Sequence, residues 1–365
     1  MTFRQRTFRP RVERLENRWC PAVDVFLYGR SMIIRGDANN DLINIQDDGQ
    51  GNVSATISNT ASSDSLSASG VLSVVVYGNN GDDTVNYNLT ADLVQRRNIY
   101  LYLGNGNDQA NLNLNAGLDA GGDLYSVFAG GAGNDSINTD LGAIVRARVN
   151  LFEYLQANDD ASDIDFNGLI DLSTVNVHVD ANHGNDNLDV MLGSIADSRV
   201  NVKLYGQTGN DTIDASFAGL LLLNSNITGL SSVNISTWDG YGNDNVTYSA
   251  AGVDVGAGST LALNTSSYQG LDTVDVDWSG ELDGRLNVSI VGGWLSDTLS
   301  ADLRATGGST GELYASMIGF WQPDTLTLNV YDDFDSLTVL SAYLNGGRFG
   351  GNNATYTSNV NAVNV

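Results

Sequence analysis

Gly130-Gly131-Ala132-Gly133-Asn134-Asp135-Ser136-Ile137-Asn138 is the stretch whose recurrence decides how this chain folds. Its glycines accept positive φ without steric cost, and its Asn and Asp can hydrogen-bond a turn backbone. The apolar Ile137 then opens an alternating strand pattern. Close copies are Gly78-Asn79-Asn80-Gly81-Asp82-Asp83-Thr84-Val85-Asn86 and Gly206-Gln207-Thr208-Gly209-Asn210-Asp211-Thr212-Ile213-Asp214. Others centre on Asp41, Asp108, Asp186, Asp244, Asp272, Asp297 and Asp335. A motif that returns so often marks a repeat array rather than a set of separate globular domains.

The steps between these aspartates are 42, 25, 27, 51, 25, 33, 28, 25 and 38 residues. Most lie near 25, and 51 is close to twice that, which predicts a degenerate turn near Asp159–Asp165. Around each motif the pattern has period two. Val85 and Tyr87, Ile213 and Ala215, Val246 and Tyr248, Val274 and Val276 are apolar, and the residues between them are polar. Upstream, Val74 and Val76, Ile99 and Leu101, Val202 and Leu204 alternate in the same way. Each unit therefore reads as strand, Gly-rich turn, strand and a variable third segment such as Leu220–Gly229.

The expected fold is all-β, a right-handed parallel β-helix (β-solenoid) with one Gly-Asn-Asp turn per rung. About eleven rungs of ~25 residues would make a rod on the order of 50 Å long. Residues 1–22 form a separate basic segment, and residues 23–365 form a single solenoid with terminal capping rungs. Stacking also puts Tyr77, Tyr102, Tyr205 and Trp238 in one outward aromatic column. Such a column either steadies the surface or stacks against sugars.

Composition agrees with a turn-rich β protein. Of 43 acidic residues only five are Glu, the helix-former of the pair. Six arginines (Arg4, Arg6, Arg9, Arg11, Arg14, Arg18) lie in the first 22 residues, so the rest carries 11 basic against 41 acidic residues. A body with a net charge of −30 repels nucleic acid and anionic membranes and attracts cations. No apolar run reaches the length of a membrane span. Cys20 is the only cysteine, so no intrachain disulfide can form.

The nonapeptide resembles the hemolysin-type (RTX) calcium repeat, G-G-x-G-x-D followed by a large apolar residue. The family's repeats run in tandem, whereas here one copy occurs per rung. The resemblance therefore covers the turns and not the whole rung. It implies Ca2+ held between successive turns on one edge. The residues it points to are Gly78, Gly81, Asp83, Gly106, Asp108, Gly130, Gly131, Gly133, Asp135, Asp186, Gly206, Gly209, Asp211, Gly242 and Asp244. The chemistry is consistent, since calcium takes six to eight oxygens and the glycines could turn carbonyls toward one point. The alternative is that Asn and Asp only cap turns through side chain-to-backbone bonds.

Catalysis has little support in the residues. His178 and His183 are the only histidines, and no Ser-His-Asp or Cys-His set can be assembled. The groups Asp159/Asp160/Asp163/Asp165 and Asp332/Asp333/Asp335 could imitate a glycosidase carboxylate pair. The expected function is thus a non-enzymatic, calcium-binding structural or adhesive protein, and the alternative is a glycan-binding or polysaccharide-degrading β-helix. Residues 9–22 contain Arg11, Arg14, Leu15, Glu16 and Arg18 in an order similar to the Arg-x-x-Leu-Glu-x-Arg motif that precedes surface and secreted proteins of planctomycete bacteria. That resemblance implies a secreted or cell-surface location, where surface glycans or other surface proteins would be the partners.

Overall fold

A computed structural model describes residues 23–217, 226–332, 337–347 and 353–358. The basic segment 1–22, the motif centred on Asp335 and most of Leu220–Gly229 lie outside the described residues. Two long sheets face each other, one of 13 strands and one of 14, and every coil contributes one strand to each. Strands stack in parallel on the next coil, as Asp123–Ala132 does between Arg96–Asn105 and Arg148–Ala157. This is the parallel β-solenoid expected from the spacing.

The period-two pattern explains why these segments become strands that bury one face. In the second sheet Val85, Ala110, Ile137, Ser162, Leu188, Ile213, Val246, Val274, Leu299 and Leu326 stand in one register column. Each is at most 1% exposed. Every Val, Leu or Ile so buried contributes roughly 1.5–3 kcal/mol. A one-residue slip would turn the whole column outward, so the pattern fixes which face of each strand points inward.

The third face is thinner than three full strands per rung would require. It consists of short strands such as Ile144–Val145, Ile170–Asp171 and Ile195–Ala196, continued by single bridges such as Leu93↔Leu118 and Val255↔Leu282. Few residues are needed there because each coil drives one apolar side chain inward: Leu93, Leu118, Ile144, Ile170, Ile195, Ile227, Val255 and Leu282 are all buried.

The long first step of 42 residues has a clear cause. Strands Val53–Ser58 and Ser63–Ala68 are an antiparallel insertion, and together with Asp24–Tyr28 they close the first end of the core. Val25 N–H donates to Asp64 across this cap. Beneath it Arg97 forms a buried ion pair with Asp47 and donates to the Val71 carbonyl, while the Tyr87 hydroxyl donates to Asp47. A solenoid end must be covered because its last apolar layer has no neighbouring coil.

Candidate metal centre

The turns between the two main sheets form one edge of the rod. From Asp83 to Asp244 they are shaped by residues four and two before the aspartate. Asn79/Gly81, Gly104/Gly106, Gly131/Gly133, Asn182/Gly184, Gln207/Gly209 and Gly240/Gly242 all have positive φ. The second member of each pair also lacks room for a side chain. A Cβ on Gly106 or Gly133 would lie 1.9 Å from the carbonyl oxygen of its counterpart one coil back, and on Gly209 or Gly242 only 1.4 Å. Gly78, Gly130 and Gly206 stand five before the aspartate, where a Cβ would come within 2.4–2.5 Å of the aspartate Oδ2 of the same coil. All the predicted glycines and aspartates thus fall on the one edge, each with a steric or conformational duty.

The aspartates form an unbroken ladder. Asp41 N–H donates to Asp83 Oδ1, Asp83 to Asp108, and so on through Asp135, Asp160, Asp186, Asp211, Asp244, Asp272 and Asp297 to Asp324, at 2.7–3.0 Å. The second oxygen has a different fate. Asp41 Oδ2 accepts from Asp37 N–H and Asp297 Oδ2 from Gly293 N–H. In eight consecutive turns, Asp83 to Asp272, Oδ2 is buried without a hydrogen-bond partner. Burial is the main force that raises these carboxyls, to about 7 for Asp83, Asp135 and Asp211 and about 8 for Asp160. Repulsion from the stacked neighbours adds to it.

Two other ladders in the same molecule show what a metal-free ladder looks like. At the opposite corner Ser173, Ser198, Ser231 and Ser259 accept backbone N–H groups of the preceding coil. Their hydroxyls then donate to nearby carbonyls, so they need no counter-charge. One residue before the ladder aspartates, an exposed row (Asn40, Asp82, Asn107, Asn185, Asn210, Asn243) accepts backbone N–H groups of the following coil. Hydroxyls, amides and exposed carboxylates such as Asp82 therefore all serve as acceptors between stacked coils. The buried carboxylates add a charge and an orphaned oxygen that stacking does not require.

Stacking itself occupies some of the turn carbonyls. The carbonyls four and three before the aspartate, such as Asn182 O and Thr208 O, accept N–H groups of neighbouring coils. Parallel stacking uses these two positions as acceptors, and among side-chain oxygens the aspartate Oδ2 atoms are left for a cation. Two ladder members lie outside the predicted motifs. Asp160 fills the degenerate turn inferred from the 51-residue gap, and Asp324 follows Pro323 with Phe320 and Gln322 where the motif has its turn glycines. Asp239 was also missed. It occupies the place of Gly78, Gly130 and Gly206, and its carboxylate comes within 4.8 Å of those of Asp244 and Asp272. A polar residue where the motif has glycine was the available signal.

The residues of the competing readings stand in different surroundings. His178 packs among Phe152, Tyr154 and Tyr205 at 5.0–6.2 Å, while His183 sits exposed at the turn. Asp160 belongs to the ladder, Asp159 accepts the Asn185 N–H, and Asp163 stacks in register with Asp189 along the outer face. Asp332 is buried, and Asp333 and Asp335 lie outside the described residues. The aromatic column exists, but Tyr77–Tyr102 and Tyr205–Trp238 stack face to face at 5.3 and 4.7 Å, with planes 16° and 5° apart. In each stacked pair one face of each ring is covered by its partner. Among the described residues no helix is long and apolar enough to cross a membrane.

No protein-family model matches the chain. Neither a curated protein nor a solved structure is significantly similar to it.

Proposed function

We propose that this chain is an extracellular or cell-surface, calcium-binding structural solenoid, a rigid adhesive or spacer element without catalytic activity. One observation carries the reading: eight successive stacked turns each bury a carboxylate oxygen with no hydrogen-bond partner. Two unit charges ~5 Å apart repel by about 3 kcal/mol at an effective dielectric of ~20, so a file of such groups calls for neutralisation. The ladder aspartates would hold the ions between coils, and the glycines keep the edge narrow enough for neighbouring carboxylates to share one. Bound calcium supplies the positive charge that the edge lacks and ties each coil to the next.

The resemblance of the turns to hemolysin-type repeats and of the head to an export motif supports the extracellular setting. Sites of extracellular modules work at dissociation constants of about 10⁻⁴–10⁻³ M, so weak ligation is enough there. Calorimetric titration of the full chain with calcium should give saturable binding, and melting should rise in calcium and fall in chelator. Asp135→Ala and Asp211→Ala should each remove part of the heat. Identical melting in calcium and chelator, with no heat of binding, would overturn the reading and leave a metal-free solenoid whose ladder is held by protons.

A further inference from the structure

The column five residues before the ladder aspartate contains glycine in six coils: Gly36, Gly78, Gly130, Gly206, Gly292 and Gly319. In each, a Cβ would point to within 2.1–2.8 Å of the side-chain oxygen Oδ2 of that coil's aspartate. Three coils carry apolar Leu103, Leu155 or Ala181 in this column, and two adjacent coils place polar side chains there. Asp239 and Ser267 occupy the column, 0% and 5% exposed, before Asp244 and Asp272. The chain thus inserts a fourth-column carboxylate and a hydroxyl at the place where the ladder's orphaned oxygens lie.

The geometry points to a dedicated buried site for one divalent, oxygen-seeking cation, calcium by size, formed by Asp239, Asp244 and Asp272 with Ser267 holding Asp239 in place. The ligand atoms of the three carboxylates lie within 4.8 Å of one another, about twice a calcium–oxygen distance. Asp244 Oδ1 is used by Asp211 N–H and Asp272 Oδ1 by Asp244 N–H, at 2.7 and 3.0 Å. Their Oδ2 atoms have no hydrogen-bond partner, in side chains 2% and 1% exposed. Asp239 is oriented from both sides: Ser267 Oγ donates to its Oδ2 at 2.5 Å and Gly240 N–H to its Oδ1 at 2.7 Å. The groups acting on Asp239 are Ser267, Gly240 and the two other carboxylates, with no basic side chain among them. A dication meets this excess of negative charge in one step and accepts the hard oxygen set. The site shares the chemistry of the turn edge and rests on its reading as a cation-binding face. It differs in having three carboxylates, where an ordinary interval between coils has two.

The test uses the full chain, calcium itself, and Asp239→Gly, which installs the glycine found in six other coils, with Asp239→Ser as a second variant matched to Ser267. Wild-type calorimetry should show a tightest class of about one equivalent. Asp239→Gly should lose that class, or weaken it on the order of tenfold, because affinity follows the number of charged ligands. The remaining binding should persist. In chelator the variant should melt at or above wild type, and in calcium below it. Should Asp239→Gly fold poorly, Asp239→Ser must show the same loss of one equivalent. Superimposable isotherms for wild type and either folded variant would overturn the assignment while leaving the ladder sites standing. Absence of binding to wild type would overturn both.

Discussion

Glu153 offers the sharpest test of the interior. It stands in the inward column between Phe128 and Val179 and is fully buried. Its Oε2 accepts the Ser162 hydroxyl at 2.6 Å from the facing sheet. Burial raises its carboxyl from 4.5 to about 8, only partly opposed by the Ser162 and Thr139 hydroxyls. The folded chain therefore keeps a proton that the unfolded chain releases near pH 4.5. Its contribution is fully present below that value and is lost as pH rises to about 8. One pH unit is about 1.36 kcal/mol, so the full span approaches about 5 kcal/mol, taken as an upper bound. Glu153→Gln keeps the shape and the acceptor but cannot ionise. Urea unfolding in chelator at pH 5 to 9 should show the two proteins diverging, with Gln increasingly favoured toward pH 8. All other carboxylates are common to both and cancel in the difference. Because solenoid coils can open locally, hydrogen exchange in the strand Arg148–Ala157 should report the same divergence. Parallel pH profiles by both methods would refute the argument that Glu153 is buried as its acid.

Other expectations follow from the edge and the cap. Gly209→Ala puts a Cβ 1.4 Å from the Gly184 carbonyl at φ +144°, whereas Gly252→Ala at φ +76° meets nothing within 4 Å. The second should cost about 1–2 kcal/mol and the first clearly more, since its neighbour is backbone; equal costs in denaturant melts would contradict the stacked-glycine geometry. In chelator, stability should fall as pH rises from 5 to 8, because the ladder carboxyls of Asp83, Asp135, Asp160 and Asp211 are raised to about 7 or 8 and hold protons that unfolded aspartates release. Calcium should flatten that slope, and a calcium-independent slope would count against metal in the ladder. Arg97→Met strands the buried Asp47 carboxylate and should cost about 3–5 kcal/mol, read as lost exchange protection at the capped end; an unchanged cap would show that the pair is dispensable.

Much of this was legible one residue at a time. The alternation of Val85, Tyr87, Ile213 and Ala215 determines which face is buried, because side chains of a strand point in opposite directions in turn. The 25-residue step located the coils, and a double step revealed the missing one at Asp160. Glycines at 106, 133, 209 and 242 marked the turns through their conformational demands. Asp324 escaped because it keeps only Gly319 of the motif glycines, and a turn can be imposed by the coils stacked on it. Asp335 carried the look of a motif and lies outside the described residues, among which the ladder runs to Asp324.

The sequence alone therefore determined the repeat, the strand polarity and the edge on which the carboxylates gather, since these depend on local conformation and period. Tertiary structure decided what each oxygen does. That Oδ1 meets a backbone N–H 25 to 42 residues away, that Oδ2 is left orphaned, and that Asp239 joins Asp244 and Asp272 are facts of register between coils. Register depends on how inserts of different length are absorbed between strands, which local sequence does not encode.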